Sequence, residues 1–237
     1  DRADFFCTVE EGMRGKRALE WNLVDDIVPR SKWQNALATR ASEVAAASNR
    51  PADAVGITFS PLERTIEGER IEYAHLACVI DRELMAANIT TRAPAAAPPS
   101  DIAAIHSEGA AFWPLAIARE LEDLILHLRF NESEIGTWLI RTEGESEYVA
   151  VADAALAAHA EDWLVREITL YMKRTLKRLD LSARSIFAFI EPGSCFTGTL
   201  LELALAADRV YMLDGAFEGD NRPAATICMT PANFGSY

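Results

Sequence analysis

The residues most able to do chemistry lie in one string, SIFAFIEPGSCFTGTLLELALAADR, at positions 185–209. SIFAFI has the composition of a buried strand, the next turn contains Gly193 and Gly198, and TLLELALAA has the composition of a buried helix. Such a turn directs free backbone N–H groups to one point, because the first N–H groups of a helix have no partner within the helix. The start of a helix also carries partial positive charge. The string therefore predicts a site that stabilises an anion or a developing oxyanion.

Two side chains in this string suggest chemical roles. Glu202 is a candidate acid or base. Glu202 also follows Thr199 at the S/T-x-x-E spacing of a capping box, which would leave it only the task of holding the start of the helix. Cys195 has no histidine near it in sequence, and GSCFTG is not the G-x-S-x-G pattern of a nucleophile. We keep both interpretations of Glu202 and do not assign Cys195 as a nucleophile.

Composition excludes several other classes of protein. The formal charge of −13, from 23 basic and 36 acidic residues, repels a polyanion, so nucleic acid is not an expected partner. No run of 18 uncharged apolar residues occurs, and we expect a soluble cytoplasmic protein with no membrane partner. No metal site is predicted, because the cysteines are widely spaced reduced thiols without a C-x-x-C or Cys/His cluster; they are Cys7, Cys78, Cys195 and Cys228.

Other candidate residues are better explained by structure. A basic face on one predicted helix suits the phosphates of coenzyme A, but a solvated face is the favoured interpretation; its members are Lys173, Arg174, Lys177 and Arg178. Trp113 and Trp138 stand in apolar segments and are predicted to be core residues. No role is assigned to the scattered histidines, His75, His106, His127 and His159.

The elements that must position the string alternate between strand and helix. YAHLACVI and ANITTRA flank a charged turn and predict a hairpin. Residues 112–130 have apolar positions at helical spacing, 136–144 are predicted as a strand, and 161–180 as a long amphipathic helix. Residues 209–213, RVYML, are predicted as a further strand. This alternation predicts an α/β fold with a buried parallel sheet.

The beginning of the chain has a different organisation. Helical spacing predicts one helix over 10–24, ended near Pro29, and a second over 33–47. Beyond them the periodicity is lost and proline, glycine and charge increase, so we place a linker at 51–70. The predicted domains are therefore 1–50 and 71–237.

The central string resembles the signature of the crotonase (enoyl-CoA hydratase/isomerase) superfamily, in which an apolar strand and a glycine-rich turn precede a Glu-Leu-Ala helix and an Asp. Glu202, Leu203, Ala204 and Asp208 match that pattern. The resemblance implies a ββα superhelix, with the N–H of Thr199 as one donor of an oxyanion hole and Glu202 as acid or base. It also implies substrate contacts at Gly193, Gly198 and Ala150, with Ala152 as an alternative donor to Ala150.

The first segment also resembles this superfamily, at its Gly-Leu-Val-Asp-x-Val-Val-Pro region; the matching residues are Leu23, Val24, Asp25, Val28 and Pro29. Residues 1–50 would then be the helical tail of a first crotonase-like domain, and 71–237 an incomplete second domain. This order is similar to that of the benzoyl-CoA-dihydrodiol lyase family, and we expect the chain to be an internal piece of a longer protein.

Membership of that family implies a lyase of aerobic benzoate degradation. It would open the ring of 2,3-epoxybenzoyl-CoA with water and release 3,4-dehydroadipyl-CoA semialdehyde and formate. The resemblance further implies a benzoyl-CoA-derived substrate, no cofactor beyond the CoA thioester of that substrate, and a homo-oligomer.

Two departures from the family pattern weigh against a working site in residues 71–237. Pro231 stands where hydratases carry a second glutamate before the glycine that matches Gly235, and the loop expected to supply the first donor reads ESEYVAVADAAL. We therefore expect a supporting copy here and the working site upstream of residue 1. The alternatives left open are an ordinary enoyl-CoA hydratase or isomerase and a non-catalytic packing or dimerisation domain.

Overall fold

The structure is a computed structural model that describes residues 2–48 and 55–237. The chain divides into two compact units, Asp1–Ala54 and Val55–Tyr237. Part of the predicted linker, 51–54, lies outside the described residues. The rest of it belongs to the second unit, and strands lie at its end, so the linker prediction is wrong for those residues.

The first unit is helical. Its helices are α1 (Arg2–Thr8), α2 (Gly15–Glu20) and α3 (Trp33–Ala46), with a 3-10 turn at Arg30–Lys32. The predicted helix over 10–24 is shorter in the structure. Gly12 before it and Gly15 at its first position have positive φ, and Asn22 follows it with φ of 57°. Among its described residues only Ala18 is a buried apolar residue. Its apolar side chains, Trp33 and Leu37 among them, are therefore mostly exposed.

A mixed sheet is the centre of the second unit. Its order is β1-β2-β3-β4-β5-β6-β8, with antiparallel pairing from β1 to β4 and parallel pairing from β4 through β8. The strands are β1 (Thr65–Glu67), β2 (Arg70–Glu72), β3 (Leu76–Asp81), β4 (Ala86–Arg92), β5 (Thr137–Glu143), β6 (Ser185–Ile190) and β8 (Arg209–Met212). The predicted hairpin is β3 and β4. The α/β prediction is confirmed, with the sheet parallel only in its second half.

A second, two-stranded sheet lies beside the predicted site. It pairs β7 (Phe196–Thr197) with β9 (Ile227–Cys228) in parallel. A short 3-10 turn, Pro231–Asn233, follows β9. This small sheet joins the turn after β6 to the last described residues of the chain.

Five helices surround the main sheet. They are α4 (Ile102–Glu108), α5 (Trp113–Asn131), α6 (Ser146–Ala158), α7 (Trp163–Asp180) and α8 (Gly198–Leu205). The predicted helices 112–130 and 161–180 are confirmed as α5 and α7. Trp113 and Trp138 are both buried in the core between helices and sheet, as predicted. No described helix is long and apolar enough to cross a membrane.

Candidate functional site

The predicted site lies where α8 begins, and a carboxylate of the chain itself already occupies it. Oδ2 of Asp153, on α6, accepts the backbone N–H of Thr199 at 3.0 Å. Oδ1 of Asp153 accepts the hydroxyl of Thr199 at 2.5 Å. The hydroxyl of Thr230 donates to Oδ2 at 2.8 Å. The N–H that the sequence assigns to an oxyanion is therefore bonded within the protein.

Gly198 allows this close approach. Its φ is 47°, in the left-handed region, and a Cβ atom built there would collide with the Asp153 carboxylate. Thr197, which precedes the helix, makes no side-chain cap, so Asp153 supplies the negative group that a capping side chain would otherwise provide. A glycine is thus required here for a contact inside the chain.

Asp153 is 3% exposed. Burial is the largest influence on its pKa and raises it, the hydrogen bonds from Thr199 and Thr230 act to lower it, and the charge of Glu202 raises it further. The pKa of Tyr237 is also raised, first by burial and then by Asp153, and its hydroxyl lies 2.7 Å from that of Thr199. The cluster is a buried acidic centre on α6 held by donors on two other segments, α8 and the residues after β9.

Glu202 lies next to this cluster but does not form the predicted capping box. Its Oε1 accepts the side-chain amide of Asn233 at 2.6 Å, and the same amide donates to the carbonyl of Gly198 at 2.9 Å. The capping-box alternative is wrong, because the N-cap of α8 is Thr197, two residues before Thr199, and the Thr199 hydroxyl bonds to Asp153 instead. A capping box is present at Thr230 and Asn233.

The segment expected to be the first oxyanion-hole loop is a helix. Ala150 lies in the second turn of α6, where backbone N–H groups are bonded to carbonyls one turn earlier, so it offers no free donor in this structure. Ala152 lies further inside the same helix and is fully buried. Alanine-rich sequence favours helix, which explains why the predicted loop is not formed.

Gly193 lies in the turn after β6, away from the Asp153 contacts. Its φ is 86°, and a Cβ atom there would collide with the guanidinium of Arg222. Arg222 is held by two-atom contact with Asp220, which draws the pKa of that carboxyl to about 2. The space beside Gly193 is therefore filled by a side chain of the protein.

Sequence reasoning missed Asp153 and its partner Thr230. It also missed Asn233, which bonds to Glu202, and Tyr237, which bonds to Thr199. One signal was available, since Asp153 is the one charged residue in the run VAVADAALAA at 149–158. A buried Asp needs donors, but the sequence does not show where they come from, because Thr199 is 46 positions away. The alignment of α6 with α8 brings the pair together.

The other candidates have structural partners. Two members of the basic face, Arg174 and Arg178, lie 3.7 and 3.0 Å from the carboxylate of Glu122. That carboxylate offsets the charge of half of the face, and we retain the interpretation of the face as solvated. His106 contacts Asp162, whose carboxylate caps α7. Residues 2–48 and 55–237 contain no group of three or more possible metal ligands.

No protein-family model matches the chain. Among solved structures it is similar to an enoyl-CoA hydratase from Geobacillus kaustophilus, with 16% identity and a TM-score of 0.39. That alignment covers 60% of this chain and 47% of the hydratase. It is also similar to DspI of Pseudomonas aeruginosa, with 20% identity, 67% and 54% covered, and a TM-score of 0.40. AtuE of the same species has 15% identity, 59% and 48% covered, and a TM-score of 0.37.

Sequence comparison gives a closer relation. The chain is 45% identical over all 237 of its residues to the benzoyl-CoA-dihydrodiol lyase of Aromatoleum evansii. It spans 42% of the length of that relative. Over its full length, the chain is therefore homologous to a segment of benzoyl-CoA-dihydrodiol lyase.

Proposed function

We propose that the protein containing this chain is a lyase of benzoyl-CoA degradation, which opens the ring of 2,3-epoxybenzoyl-CoA with water to give 3,4-dehydroadipyl-CoA semialdehyde and formate. The observation that carries this proposal is the 45% identity to benzoyl-CoA-dihydrodiol lyase across every residue of the chain. The activity is proposed for the whole protein, because the chain matches 42% of that relative. A benzoyl-CoA-derived substrate and a homo-oligomer are part of the same proposal.

Within that protein, residues 71–237 are proposed to support a site that lies elsewhere. An oxyanion hole needs backbone donors that are free to meet the developing charge. Thr199 gives its N–H to Asp153, and Ala150 lies inside a helix. A negative carboxylate at the start of α8 would also repel a second negative charge placed there. These contacts favour the non-catalytic alternative for this domain.

The experiment is an assay of the full-length protein with 2,3-epoxybenzoyl-CoA, in which loss of substrate and release of formate are followed together. Equal amounts of formate and semialdehyde support the proposed lyase. Crotonyl-CoA serves as the comparison substrate, since an ordinary hydratase would add water to its double bond. Hydration of crotonyl-CoA without formate release from the epoxide would overturn the proposal.

A further inference from the structure

Residues 227–237, here called the strap, contact the start of α8 through polar groups. Thr230 donates to Asp153 at 2.8 Å, and the amide of Asn233 donates to Glu202 at 2.6 Å. The hydroxyl of Tyr237 meets that of Thr199 at 2.7 Å. The strap thus contacts both residues to which the sequence assigns chemistry, Thr199 and Glu202.

Apolar burial holds the strap only weakly. Ala232 is its one fully buried apolar residue, and Tyr237 packs partly against the core. Met229 and Phe234 are 70% and 76% exposed. Its pairing with the rest of the domain is limited to the two residues of β9. A segment with few buried apolar contacts opens more readily than the sheet beside it.

Asp153 is the group on which the polar contacts converge. It belongs to α6, and it accepts hydrogen bonds from Thr199 on α8 and from Thr230 on the strap. A buried carboxylate is stabilised by its donors, and donors left without it are unsatisfied, so the three segments depend on one another. Without Asp153, the N–H of Thr199 on α8 and the hydroxyl of Thr230 on the strap would lose the acceptor that they share.

We propose that Asp153 is a latch that holds the strap closed over the start of α8, and that the strap opens as a unit while the main sheet stays folded. In the closed state Thr199 and Glu202 have their hydrogen-bonding groups occupied. Opening would free the carboxylate of Glu202 from Asn233 and the hydroxyl of Thr199 from Tyr237, while the N–H of Thr199 would stay bonded to Asp153 on α6. Any consequence of this opening for catalysis rests on the proposed function. The latch does not depend on that function.

Hydrogen exchange of the full-length protein tests the latch without any substrate. The amides of Asn233 and Phe234, which are bonded to the carbonyls of Thr230 and Pro231, report on the strap. The amides of Ile140 and Ala188 report on the sheet. In the unmodified protein the strap is expected to exchange at least about tenfold faster than the sheet. Equal rates would mean that the strap opens only with the whole domain and would overturn the proposal.

Two substitutions of Thr230 separate the latch from general stability. Thr230→Val removes the hydroxyl that donates to Asp153 and that also accepts the N–H of Ala232 within the strap. Strap exchange should rise by about tenfold with sheet exchange unchanged. Thr230→Ser keeps the hydroxyl and should restore slow exchange. If the valine and serine variants exchange alike, the hydroxyl contact does not hold the strap and the proposal fails.

Asp153→Ala, compared with Asp162→Ala, extends the test to the latch residue. Both remove an aspartate that accepts N–H groups at the start of a helix, but Asp162 acts on α7 and contacts no strap residue among its described hydrogen bonds. Only Asp153→Ala should speed exchange at both Thr199 and the strap. If both variants accelerate strap exchange equally, the acceleration reflects a general loss of stability, and the latch proposal is rejected. If Asp153→Ala does not fold, the comparison of Thr230→Val with Thr230→Ser still tests the proposal.

Discussion

The Asp153 carboxylate accepts the backbone N–H of Thr199 at 3.0 Å, at the point where α8 begins. A carboxylate is negative, as is the oxyanion that the sequence places at this position, and the start of a helix stabilises either one. The two cannot share one N–H. This domain therefore carries its own carboxylate at the position where the sequence predicts an oxyanion.

Substitution of Gly198 by alanine should destabilise the protein strongly. The left-handed φ of 47° alone costs an alanine about 1 kcal/mol, and the new methyl group would also displace the buried Asp153 carboxylate. We expect a loss of more than about 2 kcal/mol in the free energy of unfolding, measured by urea denaturation. Gly68→Ala is the matched control, since Gly68 has φ of 57° and open space around it. Equal losses in the two variants would contradict the close contact.

Glu120 should make stability fall as pH rises. It is 5% exposed, and burial raises its pKa to about 7, although the backbone N–H of His75 bonds to it at 2.8 Å. A raised folded-state pKa favours the neutral acid, so its stabilising contribution is complete below about pH 4.5 and is lost as pH rises through about 7. Glu120→Gln should remove about 3 kcal/mol of this dependence between pH 5 and pH 8.

The control for this effect is Glu83→Gln, at an exposed position in the turn between β3 and β4. Unfolding by urea at several pH values compares both variants with the unmodified protein. If Glu120→Gln keeps the full pH dependence of the parent, then ionisation of Glu120 is not its source.

The four cysteines should divide into two reactive and two inert thiols. Cys7 and Cys228 are exposed, whereas Cys78 and Cys195 are buried. Burial raises the pKa of Cys78 to about 12 and also raises the pKa of Cys195, so little thiolate is available to react. Alkylation of the native protein at pH 8, with mass spectrometry of the peptides, should label the first pair only. Labelling of Cys195 at the rate of Cys7 would show that its site is accessible.

Removal of Glu122 should weaken the contact between α5 and α7. Its carboxylate accepts the hydroxyl of Tyr171 and the guanidinium of Arg178. Glu122→Ala leaves both donors without this partner, so we expect a loss of about 1–3 kcal/mol in the free energy of unfolding. Asp123→Ala is a comparison on the same helix. Asp123 also accepts a tyrosine hydroxyl, from Tyr73, and pairs with Arg64, but it is more exposed than Glu122, so its loss should cost less. The reverse order would mean that the Glu122 contacts do not join the helices.

The elements with strong patterns could be predicted from sequence. The apolar spacing of α5 and α7 and the apolar run of β6 each fix both the type of element and its buried side. The short strands β1 and β2 were missed, because three-residue strands of charged sequence carry little periodicity, and Gly68 between them was assigned to a linker. The available signal for these strands was that Ile66 and Ile71 each stand between polar or charged residues.

The site was predicted only in part. The sequence located the turn, Gly198 and the start of α8, because glycine and an apolar helix are local features. The helix at 146–156 differs from the prediction, because the family resemblance implies a loop there whereas the alanine-rich sequence favours helix. The contact of Asp153 with Thr230, 77 positions apart, depends on tertiary packing that no local pattern records.

We infer that residues 71–237 do not carry the working site, and turnover by the full-length Glu202→Gln variant is the decisive measurement. The glutamine keeps an oxygen to accept the Asn233 amide but cannot act as a general acid or base. For Glu202→Gln we expect a kcat for formate release within about threefold of that of the unmodified protein. Glu134→Gln, at an exposed position, is the control. A loss of about a hundredfold or more in Glu202→Gln alone would place catalysis in this domain and contradict the account.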